Sequence, residues 1–326
     1  MPTRTPLIAA SAATIALVLA GCTTTDTDTE TAPVAASPSA SASASAPPAT
    51  TISVAAAFYP LQFVAERVGG DHTSVMALTS PGVEPHDLEL SPASVREIQV
   101  VDVVLFLSDF QPAVDDAVST TGVRALDAHH IVEAHEGEHE DEAHADDEDD
   151  HGHDHAGGDP HFWLDPTLLA EYAHDVAAEL ADIDPANADT YAANAVTLET
   201  ELLALDDSFT QGLAQCERHD IFVGHEAFGY LTERFDLEQH GLSGLDPDAE
   251  PSPARAREMR DLVNATGATT VYSESVVDAA AVRALAADAG VDTAVLDPVE
   301  GVTGDDDYIV VMTRNLEALR AGLGCA

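Results

Sequence analysis

The 326-residue chain contains no lysine, and its twelve arginines face 59 acidic residues for a formal charge of −47. Binding a polyanion needs a basic face, so this composition excludes nucleic acid as a partner. Such a charge favours solubility and attracts cations diffusely, but it says nothing about fold. Cysteine is almost as scarce. Cys22, Cys216 and Cys325 are the only three, and none stands in a C-x-x-C spacing, which leaves a thiolate metal site or a redox motif without support. The chain also lacks a long apolar run: the stretch from Leu7 to Ala20 is too short to span a bilayer.

That stretch, preceded by Arg4, reads instead as a signal peptide over residues 1–21. It ends in Leu19-Ala20-Gly21-Cys22, which resembles the lipobox of bacterial lipoproteins and implies a diacylated Cys22 at the start of the mature chain. Two acyl chains are enough for stable membrane attachment. Residues 22–50 are Thr, Ser, Ala, Pro and acid without apolar periodicity, a tether that cannot bury enough surface to order itself. With Cys22 assigned to lipid, Cys216 and Cys325 are left to form a single disulfide in an oxidising compartment.

The remainder, from residue 51, is long enough for two domains. β-Branched runs near Ile52 to Ala57, Thr73 to Thr79, Val103 to Leu107 and Val123 to Leu126 alternate with helical patterns. A second such set has strands near Ile221 to Gly224, Leu237 to Gly241, Thr269 to Ser273 and Thr293 to Leu296. The expected fold class is therefore α/β, with two parallel-sheet lobes of (βα)4 type. Between the sets, Tyr191, Ala195, Leu198, Leu202, Leu205, Phe209 and Leu213 recur every three or four residues after Pro185. This predicts one long rigid helix over 186–215, joining a lobe over 51–185 to a lobe over 216–326.

Residues 127–158 break the pattern. His129, His130, His135, His139, His144, His151, His153 and His155 are mixed with acids there, and imidazoles and carboxylates at that density predict an auxiliary loop binding divalent cations weakly. Three other histidines stand at strand ends or in proline-stiffened loops: His86 in Glu84-Pro85-His86-Asp87, His161 in Asp159-Pro160-His161-Phe162-Trp163, and His225 directly after Phe222-Val223-Gly224. In open α/β sheets ligands lie beyond the carboxyl ends of strands, so a cleft between the lobes could gather them. Asp297, before Pro298 at the end of the last strand, could add a carboxylate, and three imidazoles with one carboxylate suit tetrahedral Zn²⁺. His225-Glu226 is not a protease motif, because Gly229 stands where H-E-x-x-H needs its second histidine.

The segments Pro81–Leu88, Asp159–Pro166, Val223–Tyr230 and Leu296–Gly301 resemble the signature blocks of the zinc and manganese substrate-binding proteins of ABC transporters, in particular the ZnuA-like zinc receptors. The resemblance runs from about residue 51 to the C-terminus. It implies two α/β lobes joined by a long helix, a metal in the cleft between them, ligands at His86, His161 and His225, and a fourth ligand at Asp297. It further implies a monomeric, non-enzymatic receptor, held at the outer face of the cytoplasmic membrane, that delivers Zn²⁺ to an ABC permease and its ATPase. A manganese or mixed-metal receptor, or a surface zinc buffer or adhesin, is the alternative. Manganese sites favour carboxylates, and the retention of His225 favours zinc.

Overall fold

In a computed structural model, the structure describes residues 51–142, 158–275, 279–304 and 306–326, with the side chains of 136–142 left aside. The signal peptide, Cys22, the tether, His139, His144, His151, His153 and His155 lie outside that description.

The first half runs β1 (Ile52–Ala56), α1 (Tyr59–Gly69), β2 (Thr73–Ala77), α2 (Pro92–Ile98), β3 (Val103–Phe106), α3 (Pro112–Thr121), β4 (Ala125–Asp127) and α4 (His129–Glu142). Two long helices follow, α5 (Pro166–Ile183) and α6 (Ala188–Leu213). The second half comprises β5 (Asp220–Val223), α7 (Gly229–Arg234), β6 (Glu238–Gly241), α8 (Pro253–Thr266), β7 (Thr270–Ser273), α9 (Ala280–Ala289), β8 (Asp292–Val295) and α10 (Tyr308–Leu323).

All ladders are parallel, as the alternation of strands and helices requires. The first sheet has the order β2-β1-β3-β4, so the chain reverses direction across the sheet between β1 and β3. The second half forms the pairs β5-β6 and β7-β8 with β5 lying against β7, which repeats the same order. Each half thus has a switch point, the crevice at the carboxyl strand ends where ligands bind in such sheets.

Helix starts follow local chemistry. Ser91, Ser252, Asp165 and Asp307 each accept a backbone N–H of their helix's first turn, and Pro92, Pro253 and Pro166 occupy first helical positions where no N–H is needed. The linking helix is shorter than the 186–215 span, because Pro185–Asn187 form a 3₁₀ turn ahead of it. At 1.5 Å per residue its 26 residues still cover about 39 Å. Its first part serves the first half, where Asn194 donates to the Val68 carbonyl and Glu201 pairs with Arg67. Its second part serves the other half, where Asp206 pairs with Arg234 and Phe209 stacks on Phe235.

The histidine-rich segment departs from the expectation of a structureless loop. Its first residues form α4, because Ile131 and Val132 are buried in the core of the first half and draw the chain into a helix. His130 meets Asp175, His135 meets Glu233, each at 2.9 Å, and His129 lies 3.7 Å from Glu133.

The Cys216–Cys325 disulfide is present and ties the exit of α6 to the exit of α10 across 109 residues of sequence. In the chain-entropy account a loop of that length stabilises the fold by up to about 5 kcal/mol. The double variant C216S/C325S is expected to lose several kcal/mol in urea unfolding at unchanged native circular dichroism. Equal midpoints for the variant and the oxidised parent count against that contribution.

Candidate metal centre

Each of the three predicted histidines is set by a different device. His86 lies in the loop after β2, where the buried Gln111 amide donates to the Pro85 carbonyl at 2.9 Å and to Thr79 Oγ1 at 3.1 Å, fixing the backbone that carries the imidazole. Its ring meets the edge of Phe110 at 4.7 Å. His161 sits between Pro160 and a 3₁₀ turn over Phe162–Leu164, fully buried, and its Nδ1 hydrogen-bonds Asp159 Oδ1 at 2.7 Å. His225 follows β5, is also fully buried, and its backbone N–H donates to Glu274 Oε1 at 3.1 Å.

The structure brings the three together. Their ring centroids lie 5.4, 5.5 and 5.9 Å apart, an almost equilateral triangle drawn from both halves of the chain. The carboxylate at its centre belongs to Glu300. Glu300 Oε1 lies 3.0 Å from His161 Nε2, 3.3 Å from His86 Nε2 and 3.8 Å from His225 Nε2. Tetrahedral bonds of about 2.0–2.1 Å place ligand atoms roughly 3.3 Å from one another, so these spacings match a zinc coordination shell. Glu300 is 1 % exposed, and its Oε2 has no hydrogen-bond partner. A carboxylate buried with one oxygen unpaired and the other beside three imidazoles has the donor chemistry of a cation site.

Asp297, the carboxylate that the sequence offered as fourth donor, does not join the histidines. Its Oδ1 accepts the Val299 N–H at 2.8 Å and its Oδ2 accepts the Ser275 hydroxyl, while Asn315 holds its main chain on both sides. Those bonds shape the turn that delivers Glu300. Val299 stands at φ +61°, a strained conformation for a β-branched residue, and the turn is further held by Trp163 Nε1 donating to the Pro298 carbonyl at 2.8 Å. Only the run Asp297-Pro298-Val299-Glu300-Gly301 hinted at this. At Gly301 a Cβ would crowd the Val83 carbonyl oxygen at 3.2 Å.

Electrostatics bind the cluster together in the absence of metal. Burial opposes charge on His161, but Asp159 and Glu300 outweigh it and raise its pKa. Burial likewise opposes protonation of His225, and Glu274 with Glu300 pushes it up to about 10. The ring nitrogens of His225 lie 2.8 Å from Glu274 and 3.8 Å from Glu300, near both carboxylates though out of line for a well-formed hydrogen bond. Burial would raise the Glu300 pKa, but hydrogen bonds from His161 and His86 and the nearby His225 ring hold it well below the usual carboxylate range.

The profile of the family described as "Zinc-uptake complex component A periplasmic", ZnuA, matches residues 54–322. The chain belongs to the ZnuA family. Among its relatives, the zinc-binding lipoprotein AdcA of Streptococcus pneumoniae is 32 % identical over 284 residues, covering 82 % of this chain and 55 % of AdcA. The chain therefore spans about half the length of the AdcA relatives it matches. The high-affinity zinc uptake system protein ZnuA of Bacillus subtilis is 31 % identical over 83 % of this chain and 88 % of its own. The Zn(II)-bound ZnuA-like domain of S. pneumoniae AdcA superposes with a TM-score of 0.68 at 29 % identity, covering 84 % of this chain and 99 % of that domain. The ZnuA-like two-lobe α/β architecture with a long connecting helix follows from these likenesses and from the sheet order above.

Proposed function

We propose that this ZnuA-family chain is an exported receptor that captures Zn²⁺ with His86, His161, His225 and Glu300 and hands it to an ABC permease driven by its ATPase. The observation that carries this reading is the convergence of three imidazole Nε2 atoms on Glu300 Oε1, in a buried carboxylate whose other oxygen has no hydrogen-bond partner. Three nitrogen donors and one carboxylate favour zinc over manganese, which prefers oxygen. Four protein donors close the tetrahedron and leave no position for an activated water, which supports capture rather than hydrolysis. Lipidation at Cys22 would keep the monomeric receptor at the outer face of the membrane beside its permease. Relatives named for zinc binding and zinc uptake support the same cargo.

The test is a zinc titration of the chain with residues 143–157 deleted. This boundary spares α4, whose Ile131 and Val132 belong to the core. One tight equivalent should remain, and the weak additional equivalents expected of the full chain should fall in number with the loss of His144, His151, His153 and His155. Loss of the tight phase on deletion would move the main site into the histidine-rich segment. A zinc-edge anomalous peak away from the three histidines would overturn the ligand assignment.

A further inference from the structure

The zinc reading leaves one buried carboxylate without a task. Glu274 follows β7, its side chain is 3 % exposed, and it approaches the switch point of the second half beside His225. Its Oε1 accepts the His225 N–H at 3.1 Å. Its Oε2 stands 2.8 Å from His225 Nδ1, yet the two atoms are out of line, and neither has another hydrogen-bond partner. The chain makes room for this approach at Gly224, where a Cβ would lie 2.5 Å from Glu274 Oε1. The next residue, Ser275, donates to Asp297, which shapes the turn carrying Glu300, so one dipeptide touches the supports of two donors.

We infer that Glu274 is a positioning residue that holds His225 in the ring orientation and tautomer a metal ion at Nε2 requires. A neutral imidazole that binds through Nε2 must carry its proton on Nδ1, and a carboxylate facing Nδ1 selects that tautomer. Coordination at Nε2 fixes the plane of the ring, and a small rotation then brings the Nδ1–H onto Oε2, pairing both orphans at once. Asp159 already does this for His161, from two residues away in sequence. Glu274 does it from a different strand, so the third donor is held only when β5 and β7 are correctly apposed. The assignment rests on zinc capture at this centre.

Zinc titration and proton NMR of the zinc-loaded chain with ¹⁵N-labelled histidine test it. The parent should show a downfield Nδ1 proton for His225. In E274Q, whose amide presents N–H or a weaker acceptor to Nδ1, the resonance should be lost and zinc affinity should fall by about 10- to 100-fold. G224A keeps the carboxylate but displaces it, and should act in the same direction. It decides the matter if E274Q does not fold, as judged by thermal melting of the metal-free protein. Affinity within about twofold of the parent in a folded variant, or an unchanged resonance, overturns the inference. A parent chain that binds no zinc tightly sinks the zinc reading itself, a separate result.

Discussion

E300A is expected to weaken zinc binding by about a hundred- to several-thousand-fold, the equivalent of the roughly 3–5 kcal/mol lost when one partner of a buried charge cluster is removed. Among the described residues Glu300 is the anionic donor grouped with all three imidazoles, and its removal leaves a dication facing neutral rings. D297A should cost less at equilibrium, because among the described residues the Asp297 side chain bonds the Ser275 hydroxyl and the Val299 N–H and not the imidazoles. Competition titration with a zinc chelator gives both constants. The assignment of Glu300 fails if D297A is the more damaging of the two while its fold is intact.

Acid should empty the centre. His161 and His225 both have raised proton affinity, the latter to about 10, so zinc must displace the proton of His225 at neutral pH. Each obligatory proton changes the affinity about tenfold per pH unit, so from pH 7.5 to 5.5 one proton costs about 100-fold and two about 10,000-fold. The stability of the metal-free fold runs the other way. A histidine whose pKa is raised by folding stabilises the fold fully below its unfolded value near 6.5 and loses that contribution as pH climbs through its folded value. For His225 that window extends to about 10. The increase in melting temperature caused by zinc should therefore shrink on acidification. Calorimetry in buffers of different ionisation enthalpy should also register protons released on binding at pH 7.5. A constant affinity over this interval is incompatible with imidazole donors in this setting.

Much of this was legible in the chain itself. Strands and helices alternate visibly because β-branched runs end at Gly, Pro and Ser, and the helices open on Ser91, Ser252 and Asp307 caps. His86, His161 and His225 stood out because each follows a strand or a proline while the other histidines lie on polar faces or in the acidic run. Glu300 did not, since one glutamate among 59 acids carries no signal of its own. Its selection is a matter of three dimensions: Asp297 bends the chain, Val299 takes a left-handed conformation, and the next side chain swings inward. Helix α4 was hidden for a similar reason, because Ile131 and Val132 are too few to make a periodic pattern yet enough to be buried in the core. The apposition of Glu274 and His225, 49 residues apart, exists only once β5 lies beside β7.

The frame around α6 bears on how long a captured ion stays. Anchored to α1 through Asn194 and Glu201 and to α7 through Asp206 and Phe209, that helix resists any wide hinge between the halves. If zinc is held here, its residence time should then depend on the local turn over 297–301 that carries Glu300. Its clasp is Asp297, and Val299 stands within it in a strained left-handed conformation. Loosening the Ser275 hydroxyl from Asp297 or Trp163 from the Pro298 carbonyl should therefore shorten the dwell of a bound ion without touching any of the four candidate donors.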